Sequence, residues 1–237
     1  SLSLHEDIFE LRSSDAVYRA RRVLIATGLT HLPPDIPGVK ECLGRSLFFC
    51  KDCDAYRVQG KRIAIIGHNT EAADYALAML AFSPRVMICL NGRSPAWGSD
   101  HAGWLAEYGI PVHLHRIAGL RHEDGQLDAV LLDHGEPLKV EAAFTTRGDV
   151  YHSDLAESAG AALDEEGQVV VDQCLKTSVP GLYAAGCVTP ANCQMIIAAG
   201  QGAIAAQAIN RDLFQESLQR HALPIFKEPS RAGTSNR

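Results

Sequence analysis

The run from Cys50 to Gly67 constrains this 237-residue chain most: Cys50-Lys51-Asp52-Cys53-Asp54, then Gly60-Lys61-Arg62-Ile63-Ala64-Ile65-Ile66-Gly67. An apolar strand running into a glycine turn and a helix is how nucleotide-binding βαβ units begin. The two thiols just before it can close into a small disulfide, or open, with little backbone movement. At a helix start the first thiolate is stabilised by free backbone N–H groups and the helix dipole, which lowers its pKa. Asp54, beside the second thiol, can hold or deliver a proton as sulfurs exchange. C-x-x-C can also be half of a zinc site, or a pair of structural thiols. A four-ligand zinc site needs a second ligand pair, and the candidates, Cys187 and Cys193, lie in a different kind of segment. The redox reading leads.

The pattern along the chain is α/β. Ile8 to Arg12 and Val17 to Arg19 flank the turn cluster Ser13-Ser14-Asp15 and predict a hairpin with no partner sheet before it. Arg21 to Gly28 reads as a buried parallel strand, and Pro33 to Gly38 as a surface connector. Ile63–Ile66, a helix from Thr70 to Phe82 with Ala73, Leu77, Leu80 and Ala81 on its apolar side, and a strand from Arg85 to Leu90 close a βαβ unit. Asp100 is the expected N-cap of a short helix to Tyr108. A hairpin is predicted from Ile117 to Leu132 about Glu123-Asp124-Gly125-Gln126, then a strand from Leu138 to Thr145. Further strands are predicted at Val169-Val170-Val171 and Leu182 to Gly186, with the turn Thr177 to Gly181 before the second. Gln194 to Phe214 reads as a helix whose alanines and glycines let a backbone or ligand lie close. Residues 221–237 read as a frayed polar tail.

Composition excludes several classes. A net charge of −6 with mixed signs offers no nucleic-acid surface, and no apolar run reaches the roughly 20 residues that span a bilayer. The N-terminus lacks the basic start and apolar core of a signal peptide. Seven cysteines, an odd number without framework spacing, fit a reducing cytoplasm where one pair works and the rest are free. Cys42 and Cys89 read as inert core thiols; Cys187 and Cys193, within one loop, could form a second disulfide but read as free thiols. Trp97 and Trp104 read as packing residues. His31, His101, His113, His115 and His134 lack ligand spacing, and no metal site is expected.

Four features in order carry a resemblance: Ala26-Thr27-Gly28 after an apolar strand, Cys50-x-x-Cys53-Asp54, the strand and turn from Gly60 to Asn69, and Thr177-Ser178-Val179-Pro180-Gly181-Leu182-Tyr183-Ala184-Ala185-Gly186. Over residues 5–215 they resemble the low-molecular-weight thioredoxin reductases and their relatives among flavoproteins with two dinucleotide-binding domains. The resemblance implies two Rossmann-like, three-layer ββα domains, the first incomplete. Residues 1–43 would be part of an FAD-binding domain, 44–150 an inserted NAD(P)-binding-like domain with the dithiol, 151–220 the rest of the FAD domain, and 221–237 a tail. It further implies a cytoplasmic homodimer passing electrons through FAD to Cys50–Cys53 and on to a thioredoxin-like protein or small disulfide. Cys53 would face the flavin, Cys50 would attack the substrate, and Asp54 would move protons. Thr27, Gly28, Gly186, Cys187 and Gln194 would touch FAD; Gly67, Asn69, Thr70 and Arg93 would touch NADPH. The second reading is a non-catalytic or donor-altered relative serving as a binding or regulatory module.

Three departures temper these expectations. The glycine fingerprint that opens the family's FAD domain is not found, so weak FAD binding is expected of the chain as written. Cys187 stands where the family has Asp. The nicotinamide fingerprint reads Gly67-His68-Asn69-Thr70-Glu71-Ala72, with one basic residue, Arg93, after the second strand where the family has two. NADPH is therefore expected to bind weakly.

Overall fold

The computed structural model describes residues 1–146, 148–223 and 225. The predicted tail from 226 onward lies outside them. The chain divides into two compact units, residues 1–30 with 150–237, and residues 31–149.

In the first unit, β1 (Leu2–His5), β2 (Ile8–Arg12) and β3 (Val17–Ala20) form an antiparallel sheet, and β4 (Val23–Ile25) follows. The predicted hairpin is β2–β3, but it does have a partner before it: β1 pairs with β2 from Leu2↔Leu11 to His5↔Ile8. The turn between them passes through Glu6 and Asp7 at positive φ, where neither residue signals a turn as glycine would. β5 (Leu29–Leu32) spans the first boundary between units.

The second unit begins with α1 (Val39–Cys42), β6 (Leu47–Phe48) and α2 (Lys51–Asp54), which runs into a 3₁₀ turn at Ala55–Val58. Next come β7 (Ile63–Ile66), α3 (Thr70–Met79), β8 (Val86–Cys89), α4 (Ser99–Glu107) and β9 (Val112–His113). Then follow the hairpin β10 (Ile117–Glu123) and β11 (Gln126–Leu132), β12 (Leu138–Lys139) and β13 (Ala142–Thr145). Its centre is a parallel sheet of order β6-β13-β7-β8-β9. β7 is buried along its whole length because both faces are covered. Ile63 and Ile65 point into the cluster with Ala72, Ala76 and Met79 of α3. Ala64 and Ile66 point the other way, to Leu120, Leu127 and Val130 of the hairpin. This is the expected three-layer ββα arrangement.

Several local expectations are corrected. The buried face of α3 is Ala72, Ala73, Tyr75, Ala76 and Met79, while Leu77 and Leu80 are half-buried and Ala81 is exposed. The small residues let the helix approach the sheet closely, and Met79 fills the space at its end. Gly98, not Asp100, is the N-cap of α4, and Asp100 falls in the first turn. The strand predicted from Leu138 to Thr145 is two strands. β12 pairs antiparallel with β11, and β13 pairs parallel with β6 and β7, so the chain changes sheets at Val140-Glu141. Trp104 is exposed and meets His101 edge-on, with centroids 5.1 Å apart, whereas Trp97 packs on the core.

The chain returns to the first unit through β14 (Gly148–Tyr151), then α5 (Asp154–Ser158), β15 (Leu182–Ala184) and α6 (Met195–Gln219). β15 lies parallel to β4 over Val23, Leu24 and Ile25. No strand forms at Val169-Val170-Val171, because its backbone bonds go singly to separate partners: Val169 N–H to Val188 O, Val170 N–H to Ala162 O. α6 runs past the expected Phe214 end.

On α6, Asp212 accepts from Lys176 Nζ (2.7 Å) and from the hydroxyl of buried Tyr183 (2.6 Å). Burial alone would raise the Asp212 carboxyl, but the Lys176 and Tyr183 bonds outweigh it and hold the group below its usual range. Burial, then Asp212 itself, push the Tyr183 phenol up. Asp212 binds its proton more weakly folded than unfolded, so its stabilisation is complete above the ordinary carboxylate pKa and lost as pH falls through the folded value. Lys176→Met is expected to lower stability by about 0.5–1 kcal/mol at pH 7, since the lysine is partly exposed. Urea midpoints should show that difference shrinking below about pH 4. A difference independent of pH would refute the assignment.

Candidate active site

The dithiol sits at a helix start. Cys50 is extended (φ −107°, ψ 109°) and is the N-cap of α2, its Sγ accepting from Cys53 N–H at 3.1 Å. The two form a disulfide with Cα atoms 5.3 Å apart. Asp54 Oδ1 accepts from the Arg57 guanidinium at 2.8 Å, so the carboxylate next to the second sulfur carries a cationic partner. Arg57 in turn lies over the Phe48 ring, and Lys51 lies over Tyr75, whose hydroxyl donates to Phe49 O at 3.1 Å. Tyr75 comes from α3 and therefore ties the dithiol turn to the nucleotide-type βαβ unit. Only a folded chain reveals that link, since Tyr75 lies 22 positions beyond Cys53 in the chain.

A second feature of the same unit is a cleft of about 400 Å³ at the C-terminal ends of β7 and β8. Gly67, His68, Asn69, Asn91, Arg93 and Thr146 line it. Open α/β sheets place ligands at that edge. Gly67 is needed there: a Cβ would run into Thr146 Oγ1 and come 2.8 Å from the Ala72 methyl. Asn69 is extended (φ −90°, ψ 174°), so it needs no glycine-like backbone. Its Oδ1 accepts from Ala72 N–H at 3.1 Å, capping the helix that Thr70 begins. The side chain that stands where the dinucleotide fingerprint has glycine is thus folded back onto its own helix. Asn91 spends its Oδ1 on Ile117 N–H (2.9 Å). Arg93 is exposed at the cleft. Arg116 lies against the same turn, with its Cβ 3.4 Å from where a Gly92 Cβ would stand, a second cation that sequence spacing did not point to.

The remaining candidates fall in the other unit. Because β4 and β15 are parallel neighbours, Thr27-Gly28 and Gly186-Cys187 leave the sheet at the same edge, with Ala185 N–H bonded to Ile25 O. Gly28 and Gly186 have φ of +68° and +80°. Thr27 donates to His152 O at 2.5 Å, and Gly186 N–H donates to Gln201 Oε1 at 2.7 Å. Gln194 is the N-cap of α6. Cys187 and Cys193 are joined as a disulfide, which corrects the expectation of free thiols. The two residues lie at opposite ends of one loop whose closure brings their Cα atoms to 5.2 Å. Cys42 and Cys89 are free and buried as expected; burial pushes the Cys89 thiol up to about 12. Among the described residues, no cluster of His, Cys, Asp or Glu has the makings of a metal site, and no helix is long and apolar enough to cross a membrane.

A disulfide at a helix start, carried by a Rossmann-type unit, is the arrangement of a redox protein of the disulfide oxidoreductase class. The chain belongs to the pyridine nucleotide-disulphide oxidoreductase family, whose model matches residues 4–206. It is 30% identical over 215 residues to the thioredoxin reductase of Treponema pallidum (strain Nichols), covering 88% of this chain and 69% of that one. The thioredoxin reductase of Bacillus subtilis (strain 168) is 26% identical, with coverage of 88% and 68%. A thioredoxin reductase structure from Bacillus anthracis superposes with a TM-score of 0.82 at 30% identity, covering 91% of this chain and 73% of that one. The chain is accordingly a thioredoxin reductase-like disulfide oxidoreductase.

Proposed function

We propose that Cys50 and Cys53 form the working dithiol of a reductase for disulfides of thioredoxin-like proteins or small molecules. The observation that carries this reading is the Cys50–Cys53 disulfide with Cys50 as the N-cap of α2. The Cys50 thiolate attacks one sulfur of the target disulfide, forming a mixed disulfide and expelling the target's other sulfur, which takes a proton. The Cys53 thiolate then attacks Cys50 Sγ, closing Cys50–Cys53 and releasing the target's second thiol. Two electrons and two protons pass to the target. Asp54 is the proton carrier, its charge set against Arg57.

The edge formed by Thr27, Gly28, Gly186, Cys187 and Gln194 would hold FAD; this fits the open ends of two adjacent parallel strands. When bound, FAD supplies the electron pair that reopens the disulfide. Gly67, Asn69, Thr70 and Arg93 would hold a nicotinamide nucleotide, a fit supported by the glycine cradle and helix start at the cleft. The test of the dithiol needs neither cofactor. The protein is reduced, freed of reductant and given oxidised thioredoxin or an aromatic disulfide. Mass-resolved alkylation is expected to show one equivalent of target reduced as Cys50 and Cys53 become protected. If those two thiols persist while the target is consumed, or the target is untouched, the reading fails and a binding role takes its place.

A further inference from the structure

Cys187 and Cys193 bracket the connection from β15 to α6. We propose that their bond is a second redox-active disulfide, opened by an external dithiol at a site of its own. This inference does not rest on the function proposed for Cys50 and Cys53.

Three observations favour a working bond over a staple. First, the loop is ordered without it. Gly186 N–H donates to Gln201 Oε1 (2.7 Å), Thr189 Oγ1 donates to Gly186 O (2.8 Å), and Gln168 Nε2 donates to Thr189 O (3.1 Å). Opening the bond therefore leaves the Gly186–Thr189 end of the loop tied to Gln201 of α6, the helix that begins just after Cys193. Second, Cys193 immediately precedes Gln194, the N-cap of a 25-residue helix. A thiolate there stands next to the positive end of the helix, which stabilises the reduced form and makes this sulfur the better leaving group. Cys50 stands in a similar relation to α2. Third, the bond is approachable. Both cysteines are only half-buried, and Met195 and Ile196, next along the chain, are 87% and 75% exposed. The core thiols Cys42 and Cys89 have no such access.

The reaction follows from this placement. One thiolate of the dithiol attacks Cys187 Sγ, forming a mixed disulfide and releasing the Cys193 thiolate. The dithiol's second thiolate attacks its own sulfur in the mixed disulfide, releasing the Cys187 thiolate. The reagent leaves as a cyclic disulfide, and its two protons end on Cys187 and Cys193. A monothiol has no such second attack. The tied loop holds Cys193 beside the mixed disulfide, so it re-forms the original bond.

The test uses the intact protein equilibrated, without denaturant, at graded ratios of reduced to oxidised dithiothreitol, then acid-quenched, alkylated and cut with trypsin. Cleavage after Lys176 and Arg211 puts Cys187 and Cys193 on a peptide with no other cysteine. That peptide is expected to gain two alkyl groups at a midpoint ratio within about tenfold of that for Cys50 and Cys53. The same midpoint is expected in C50S/C53S, and glutathione at equal thiol concentration should open at least about tenfold less of it. A peptide that stays closed until the protein is denatured, or opens only beyond that tenfold window, makes the bond structural and overturns the proposal. Opening lost in C50S/C53S overturns the separate site, and equal opening by glutathione overturns the dithiol preference. The parent protein gives the peptide reading on its own, so the outcome does not depend on the variant folding.

Discussion

Cys50→Ser is expected to abolish disulfide reduction, lowering turnover of a thioredoxin-like or aromatic disulfide by at least about 10³-fold, the scale of losing a covalent nucleophile. Serine keeps the N-cap role, since its oxygen can accept the Cys53 N–H bond that Sγ accepts now at 3.1 Å. Helix α2 should therefore persist, and the loss would report chemistry. Cys53→Ser is expected to be as inactive but to behave differently. It keeps the attacking thiolate and removes the resolving one, so the mixed disulfide between Cys50 and the target should accumulate and be visible as a mass adduct. Asp54→Asn should lower the rate by about 10²–10⁴-fold, the usual contribution of a positioned proton carrier. The experiment is turnover with the full protein, plus intact mass after one equivalent of target. Cys50→Ser with more than about a tenth of parental activity, or an adduct on Cys50→Ser and none on Cys53→Ser, would reverse the assigned roles.

NADPH is expected to bind the cleft of the 31–149 unit weakly, with Kd on the order of 0.1–1 mM, and Arg93 should dominate what affinity there is. Glu71 in the first turn of α3 opposes phosphate at the helix start, an effect of about 0.3–1 kcal/mol. Asn69 leaves less room than glycine, although its side chain is turned back to cap the helix. Exposed Arg93 offers the 2′-phosphate a charge-assisted bond of roughly 1.5–3 kcal/mol. Arg93→Ala should therefore weaken NADPH by about 10–100-fold while leaving NADH nearly unchanged. Arg116→Ala should produce a smaller loss in the same direction, because its Cβ lies against the Gly92 turn that Arg93 follows. Glu71→Gln should tighten both nucleotides by about two- to fivefold. Asn69→Gly trades a cap worth a few tenths of a kcal/mol for closer approach, so it should tighten them as well. Calorimetric titration separates the outcomes. Micromolar NADPH binding that ignores Arg93 would place the nucleotide elsewhere, and no binding even by Asn69→Gly would point to another donor, such as reduced ferredoxin.

Local information was sufficient wherever one short segment carried the whole physical signal. Ile63–Ile66 is apolar without alternation, and such a run is stable only as a strand covered on both faces, which is what α3 and the β10–β11 hairpin provide. Gly125 within Glu123-Asp124-Gly125-Gln126 sets the hairpin turn, and its bounds match the prediction. Cys50-x-x-Cys53 needs only one helical turn to bring its sulfurs together. What sequence left open depended on distance along the chain. Whether Leu138 to Thr145 is one strand or two was decided by which neighbours took its backbone bonds: β11 on one side of Val140-Glu141, β6 and β7 on the other. That Asn69 caps α3 was decided by where the Ala72 N–H comes to lie once the helix forms. Arg116 comes to lie against Gly92, the neighbour of Arg93, only because the chain turns back. Cys187 and Cys193 pair because the loop into α6 closes on Gly186, Thr189 and Gln201. Sequence alone determined the elements whose hydrogen bonds and burial are satisfied within a turn or a strand. Tertiary structure decided every choice between partners that are equally available in the unfolded chain, because only folding gives one of them its burial and its bonds.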